Sequence, residues 1–102
     1  MDVSFFAPMK PEFNKHEKKL MRAVGAVLRA LRKDTECETQ EEFSDLIGMN
    51  RSQYQTYESG VNMKIISIDK ILSHHNISIF VFMEMVRAEF NRNESKQMRK
   101  IN

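Results

Sequence analysis

The chain is expected to be all-α, with five helices in one domain. Apolar residues recur at helical spacing across residues 16–33 and again across 79–92. Between them, "TQEEFSDLIG" and "NRSQYQTYESG" each read as a short helix with a start signal and a closing glycine. No segment reads convincingly as a strand. A length of 102 residues suits one domain with a modest core and leaves little room for a deep enclosed active site.

Residues 1–14 hold both prolines, Pro8 and Pro11, and show no period, so they read as an N-terminal arm. Residues 16–33 place Leu20, Val24, Val27, Leu28 and Leu31 on one stripe of a helix, which "KDTECE" ends. Thr39 followed by Glu42 is a capping box, in which each residue satisfies the other's free backbone N–H. Glu41 and Glu42 also suit the positive end of the helix dipole. Phe43, Leu46 and Ile47 are the expected buried face, and Gly48 stops the helix as a left-handed residue.

The next helix runs from Asn50 or Arg51 to Glu58 and closes at Gly60. At 100° per residue, Tyr54 and Tyr57 face inward, while Arg51, Ser52, Gln55, Thr56 and Ser59 face out. After "VNMKII", Ser67 is the expected cap of a helix reaching about His75, with Ile68, Ile71 and Leu72 apolar. Ser78 caps a last helix from Ile79 to about Arg92. One stripe of it holds Ile79, Phe82, Met83, Val86 and Phe90. Val81, Met85 and Ala88 lie roughly opposite, with Phe80 between. A small domain covers only one side of such a helix. The second side points to a homodimer through Phe80, Val81, Met85 and Ala88. The domain proper is thus expected over residues 15–92, with a flexible polar tail at 93–102.

The formal net charge is only +2 but is unevenly spread, with basic residues crowded into the first third and an acidic block from Glu36 to Asp45. No apolar run is long enough to span a bilayer, and the N-terminus lacks a signal-peptide pattern. The one cysteine, Cys37, permits no intramolecular disulfide, as expected of a cytoplasmic protein. No phosphate-binding glycine loop, nucleophile motif or catalytic carboxylate pair is found, so no enzyme, cofactor or catalytic residue is expected. Adjacent histidines do not face each other on a helix, so His74 and His75 are not expected to bind metal. They are expected to stabilise a helix C-terminus when protonated.

Helix, glycine turn, helix is the helix-turn-helix pattern, whose second helix enters the DNA major groove. The outward row has suitable chemistry. Arginine donates twice to guanine, glutamine bonds an adenine edge in both directions, and serine and threonine hydroxyls suit several bases.

Residues 24–86 resemble the DNA-binding domain family of the phage lambda repressor and Cro, the XRE family. The resemblance rests on "LRALR", "TQEEFS", "IGMNRSQYQTYESG" and "SIDKILSHHNIS". The last helix, "IFVFMEMV", is similar to that of the small dimeric controller proteins of restriction–modification systems. The resemblance implies a five-helix lambda-repressor-like domain, with Arg51, Ser52, Gln55 and Thr56 as base-contacting residues, although Gln55 often lies nearer the backbone. Gln40, Ser59 and Lys64 would contact phosphates, and Gln40 would also brace the first residue of the recognition helix. Arg32 and Glu58 would form a structural pair tying that helix to the first. Four departures stand out. The loop before Thr39 is longer and lacks a glycine. Ser44 replaces a small alanine, so its hydroxyl must bond locally. "VNMKII" is longer than in controller proteins, and Tyr54 replaces an aliphatic residue.

The resulting expectation is a homodimeric, sequence-specific transcriptional regulator that lays residues 51–59 in the major groove of double-stranded DNA. RNA polymerase is a further candidate partner. Alternatives are a restriction–modification controller, an autoregulating antitoxin, or a protein-interaction module docking on a polymerase or a toxin.

Overall fold

The computed structural model describes residues 13–60 and 64–101, with side chains through Lys96. The N-terminal arm lies outside the described residues except for Phe13 and Asn14, as do residues 61–63 of "VNMKII". The described residues form five helices and no strand: α1 Lys15–Asp34, α2 Gln40–Ile47, α3 Arg51–Glu58, α4 Ile65–Ser73 and α5 Ile79–Ile101.

The first helix begins with a capping box that the sequence reading missed. Asn14 Oδ1 accepts from the Glu17 amide at 2.8 Å, and Glu17 Oε1 accepts from the Asn14 amide at 2.9 Å. Ala23, Val27, Leu28 and Leu31 of α1 enter the core, whereas Leu20, expected in the buried stripe, is exposed at its edge. The expected Thr39–Glu42 box starts α2. Gly48 ends it at φ 71° and ψ 32°, and the Met49 amide turns back to the Ser44 carbonyl at 2.8 Å. Phe43 is fully buried, but Leu46 is 64% exposed and corrects the expected buried face. The helix is too short to bury more than the narrow strip around Phe43 and Ser44.

Asn50 caps α3 by accepting from the amides of Ser52 and Gln53. The start of α4 corrects the expected cap: the helix begins at Ile65 after Lys64, and Ser67 lies in its first turn. Ile65 and Ile66 are both largely exposed, so their apolar character marks no buried stripe. Ser78 caps α5 through the Val81 amide at 3.1 Å.

Rather than ending near Arg92, α5 continues to Ile101. Its second half is supported by the Glu89–Arg92 pair and by contacts to α1. Lys19 Nζ meets Glu94 Oε1 at 2.8 Å, and the His16 and Phe90 rings meet edge-on at 5.5 Å. The tail expected at 93–102 is therefore helical as far as Ile101.

Leu28, Phe43, Tyr54, Ile71, Leu72, Phe82 and Val86 form the centre of the core, drawing on all five helices. Two glycines allow α1 and the end of α3 to touch. A Cβ on Gly25 would overlap the Glu58 carbonyl, and one on Gly60 would overlap the Met21 carbonyl. Gly60 also sits at φ 79°, which a side chain would strain.

Candidate functional site

Every apolar anchor of α3 faces inward. Tyr54 is fully buried, its ring 5.0 Å from that of Phe43 on α2, and Tyr57 is nearly buried. Gln53 Nε2 donates to the Tyr57 hydroxyl at 2.8 Å, an intrahelical contact the sequence reading did not anticipate. The other side of α3 is open. Arg51, Ser52, Gln55 and Thr56 are all exposed, as are Ser59 at the C-cap and Lys64 before α4. Thr56 Oγ1 donates to the Ser52 carbonyl at 3.0 Å, and Ser59 Oγ donates to that of Thr56. Arg51 leans towards Glu41 of α2 at 3.7 Å. Both side chains are well exposed, so this pair is worth little and is easily released.

A buried polar cluster fixes the C-terminal end of α3. Arg32 Nε donates to Glu58 Oε2 at 2.6 Å, both side chains being almost wholly buried. The same guanidinium donates to the carbonyls of Cys37 and Glu38, tying down the loop before α2. Gln40 Nε2 donates to Glu58 Oε1 at 3.0 Å, and Arg29 Nε stands 3.8 Å from that oxygen. Burial opposes charge on Glu58, but the Arg32 guanidinium bonded to it, the Tyr54 hydroxyl close by and the Gln40 amide bonded to it outweigh that cost. Together they hold the carboxyl below its usual range. Hydrogen bonding to Glu58 raises Arg32 in turn. Burial, and then the adjacent Glu58, push the Tyr54 phenol up, and its hydroxyl makes no hydrogen bond of good geometry. Tyr54 is therefore a neutral packing group beside the ion pair.

This cluster corrects one implied role. Gln40 braces Glu58, the last residue of α3, and the residue beside Arg51 is Glu41. Gln40 and Glu41, adjacent in the first turn of α2, diverge: Gln40 reaches the end of α3 and Glu41 its start. The structure does join the expected Arg32 and Glu58. Ser44 bonds locally, as its hydroxyl required, donating to the Glu41 carbonyl at 2.9 Å. Gly25 was overlooked. A glycine inside an apolar-periodic helix is itself a sign of close packing.

The outer side of α5 differs in composition from the expected set. Phe80 is 79% exposed and Val81 and Ala88 are exposed, but Met85 is half-buried against the core. Met83, expected in the buried stripe, is exposed instead. The buried centre of α5 lies on Phe82 and Val86, which leaves Met85 and Met83 on opposite flanks.

His75 is also corrected. It lies beyond the end of α4 and stacks on Phe43 at 5.1 Å, nearly parallel at 9°. Its Nε2 is buried without a partner. Burial lowers its pKa, and His74 adds to this while Asp34 opposes it. The fold therefore favours neutral His75 rather than a protonated helix cap. Among the described residues, no three His, Cys, Asp or Glu side chains converge to hold a metal ion. No described helix is long and apolar enough to cross a membrane.

No family model, curated protein or solved structure matches the chain.

Proposed function

We propose that this chain is a sequence-specific DNA-binding transcriptional regulator that acts in the cytoplasm as a homodimer on a pseudo-palindromic site. In this reading α2 and α3 are a helix-turn-helix of the lambda-repressor type, and residues 51–59 lie in the major groove. One observation carries the reading. Arg51, Ser52, Gln55 and Thr56 form a solvent-facing polar row, while the inner side of the same helix is committed to Tyr54, Tyr57 and Glu58 in the core. The row is therefore presented rigidly, with donors and acceptors that match base edges.

Lys64 contacts a phosphate, and Ser59 does so by turning its one hydroxyl proton away from the Thr56 carbonyl; the two set the register, while the row reads bases. Gln40 joins them: its amide nitrogen carries two protons, and only one is spent on Glu58. The two copies meet through Phe80, Val81 and Ala88, with the half-buried Met85 at one edge of the contact and the exposed Met83 at the other.

The test is binding to duplex DNA across a range of salt concentrations, with footprinting. A footprint on particular sequences, with affinity falling steeply as salt rises, is expected. Absence of any footprint, with little salt dependence, would overturn this reading; it is the outcome a protein-docking module predicts.

A further inference from the structure

The C-terminal half of α4 and the turn between α2 and α3 enclose an open cavity of about 390 Å³. Sites for small organic molecules occupy roughly 300–1,000 Å³ and pair apolar walls with a few polar groups. Here the half-buried Ile47 and Met49 supply the apolar wall, with the fully buried Ile71 behind them. Lys70 and His74, four residues apart, share one face at its rim.

No acidic residue lines the cavity, and among the described residues neither Lys70 nor His74 forms an ion pair. Asn50 also lines it. That side chain spends its oxygen on capping α3, so its NH₂ group is available as a donor.

We propose that this cavity binds a small organic carboxylate. The carboxylate meets Lys70, His74 and the Asn50 amide, and the apolar body covers Ile47 and Met49. A bare inorganic anion would leave Ile47 and Met49 wet, and a neutral apolar molecule would leave the Lys70 charge at the rim unused. The occupant would touch Asn50, the cap of α3, together with Gly48 and Met49 of the turn. It would thus bias the angle between α3 and α4. That regulatory consequence rests on the DNA-binding reading, whereas the binding itself does not.

The test is amide NMR of the full chain titrated with benzoate and, separately, with its uncharged analogue benzamide. Saturable shifts at residues 48–53 and 70–74 are expected with millimolar benzoate. Benzamide should bind about tenfold more weakly, as loss of a charge-assisted bond implies. Lys70→Gln should weaken benzoate by a similar factor with the rest of the spectrum unchanged, and Lys70→Arg should retain it. Three results would overturn the site: no saturable shift at these amides, equal binding of benzamide and benzoate, or unchanged affinity in Lys70→Gln. No DNA enters the assay, so its failure leaves the DNA-binding reading intact.

Discussion

Helices α3 and α5 each bury one side and expose the other, but their exposed sides are opposites. The outer side of α3 carries Arg51, Ser52, Gln55 and Thr56, and that of α5 opens with Phe80, Val81 and Met83. Their support differs as well. A buried ion pair and two glycine contacts hold the end of α3 against α1. Apolar packing on α1 and the edge-on His16–Phe90 contact hold α5. A rigid polar face suits a ligand with a fixed pattern of donors and acceptors. An apolar face suits another apolar face, and a symmetric copy supplies one. On this contrast, damage to the α3 support should cost stability, damage to the outer side of α5 should cost association, and damage to the outer side of α3 should cost recognition alone.

The largest effect is expected at the support. Glu58→Ala leaves Arg32 buried and unpaired and should destabilise the fold by about 3–5 kcal/mol, measured by urea unfolding. A loss no larger than that of an exposed pair would show that the cluster does not hold α3. Because the folded pKa of Glu58 is depressed, its contribution is present above the usual carboxylate range and is lost as pH falls through the folded value.

At the α5 face, Phe80→Glu should weaken association by about 2 kcal/mol or more, as expected for a buried aromatic anchor, while the monomer fold is unchanged. Sedimentation equilibrium reads this directly, and an unaltered dimer would move the interface elsewhere.

Recognition comes next. Arg51→Ala should cost about 1–3 kcal/mol on the preferred sequence and relax preference at one base position. Lys64→Ala should weaken all sequences alike and reduce the salt slope by about 1. Equal losses of Arg51→Ala on preferred and random DNA would remove its base-reading role.

The smallest effect concerns His75. Its folded pKa is depressed, so its share of stability is complete above the ordinary histidine value of about 6.5. That share is lost as pH falls from there through the folded value. His75→Phe keeps a ring against Phe43 and should flatten thermal stability over that interval. A variant that still loses stability there would assign the titration to another group.

The parts of the fold legible in the sequence are those governed by local chemistry. The Thr39–Glu42 box, the left-handed Gly48 and the inward tyrosines each follow from a few adjacent residues. Arg32 and Glu58, 26 residues apart, were reached only through the family resemblance. What escaped depends on tertiary contacts or on exposed apolar residues. Ile65 and Ile66 hid the start of α4 because both lie largely in solvent. The polar stretch after Arg92 stays helical partly because Glu94 meets Lys19, 75 residues away. Gln40 was legible as a polar residue at the start of α2, but its pairing with Glu58 depends on how α2 packs against α3. Phase alone misassigned Met83, because the packing of α5 decides which flank is covered.

Whether the outer side of α3 reads DNA is tested by selection of bound duplexes from a random pool. Wild type and Arg51→Ala should be run side by side. Wild type should recover a palindrome with half-sites about 34 Å apart, or a multiple of that spacing. The variant should recover the same palindrome with one position per half-site degenerate. No enriched sequence with wild type, or an identical motif from both proteins, would contradict the claim.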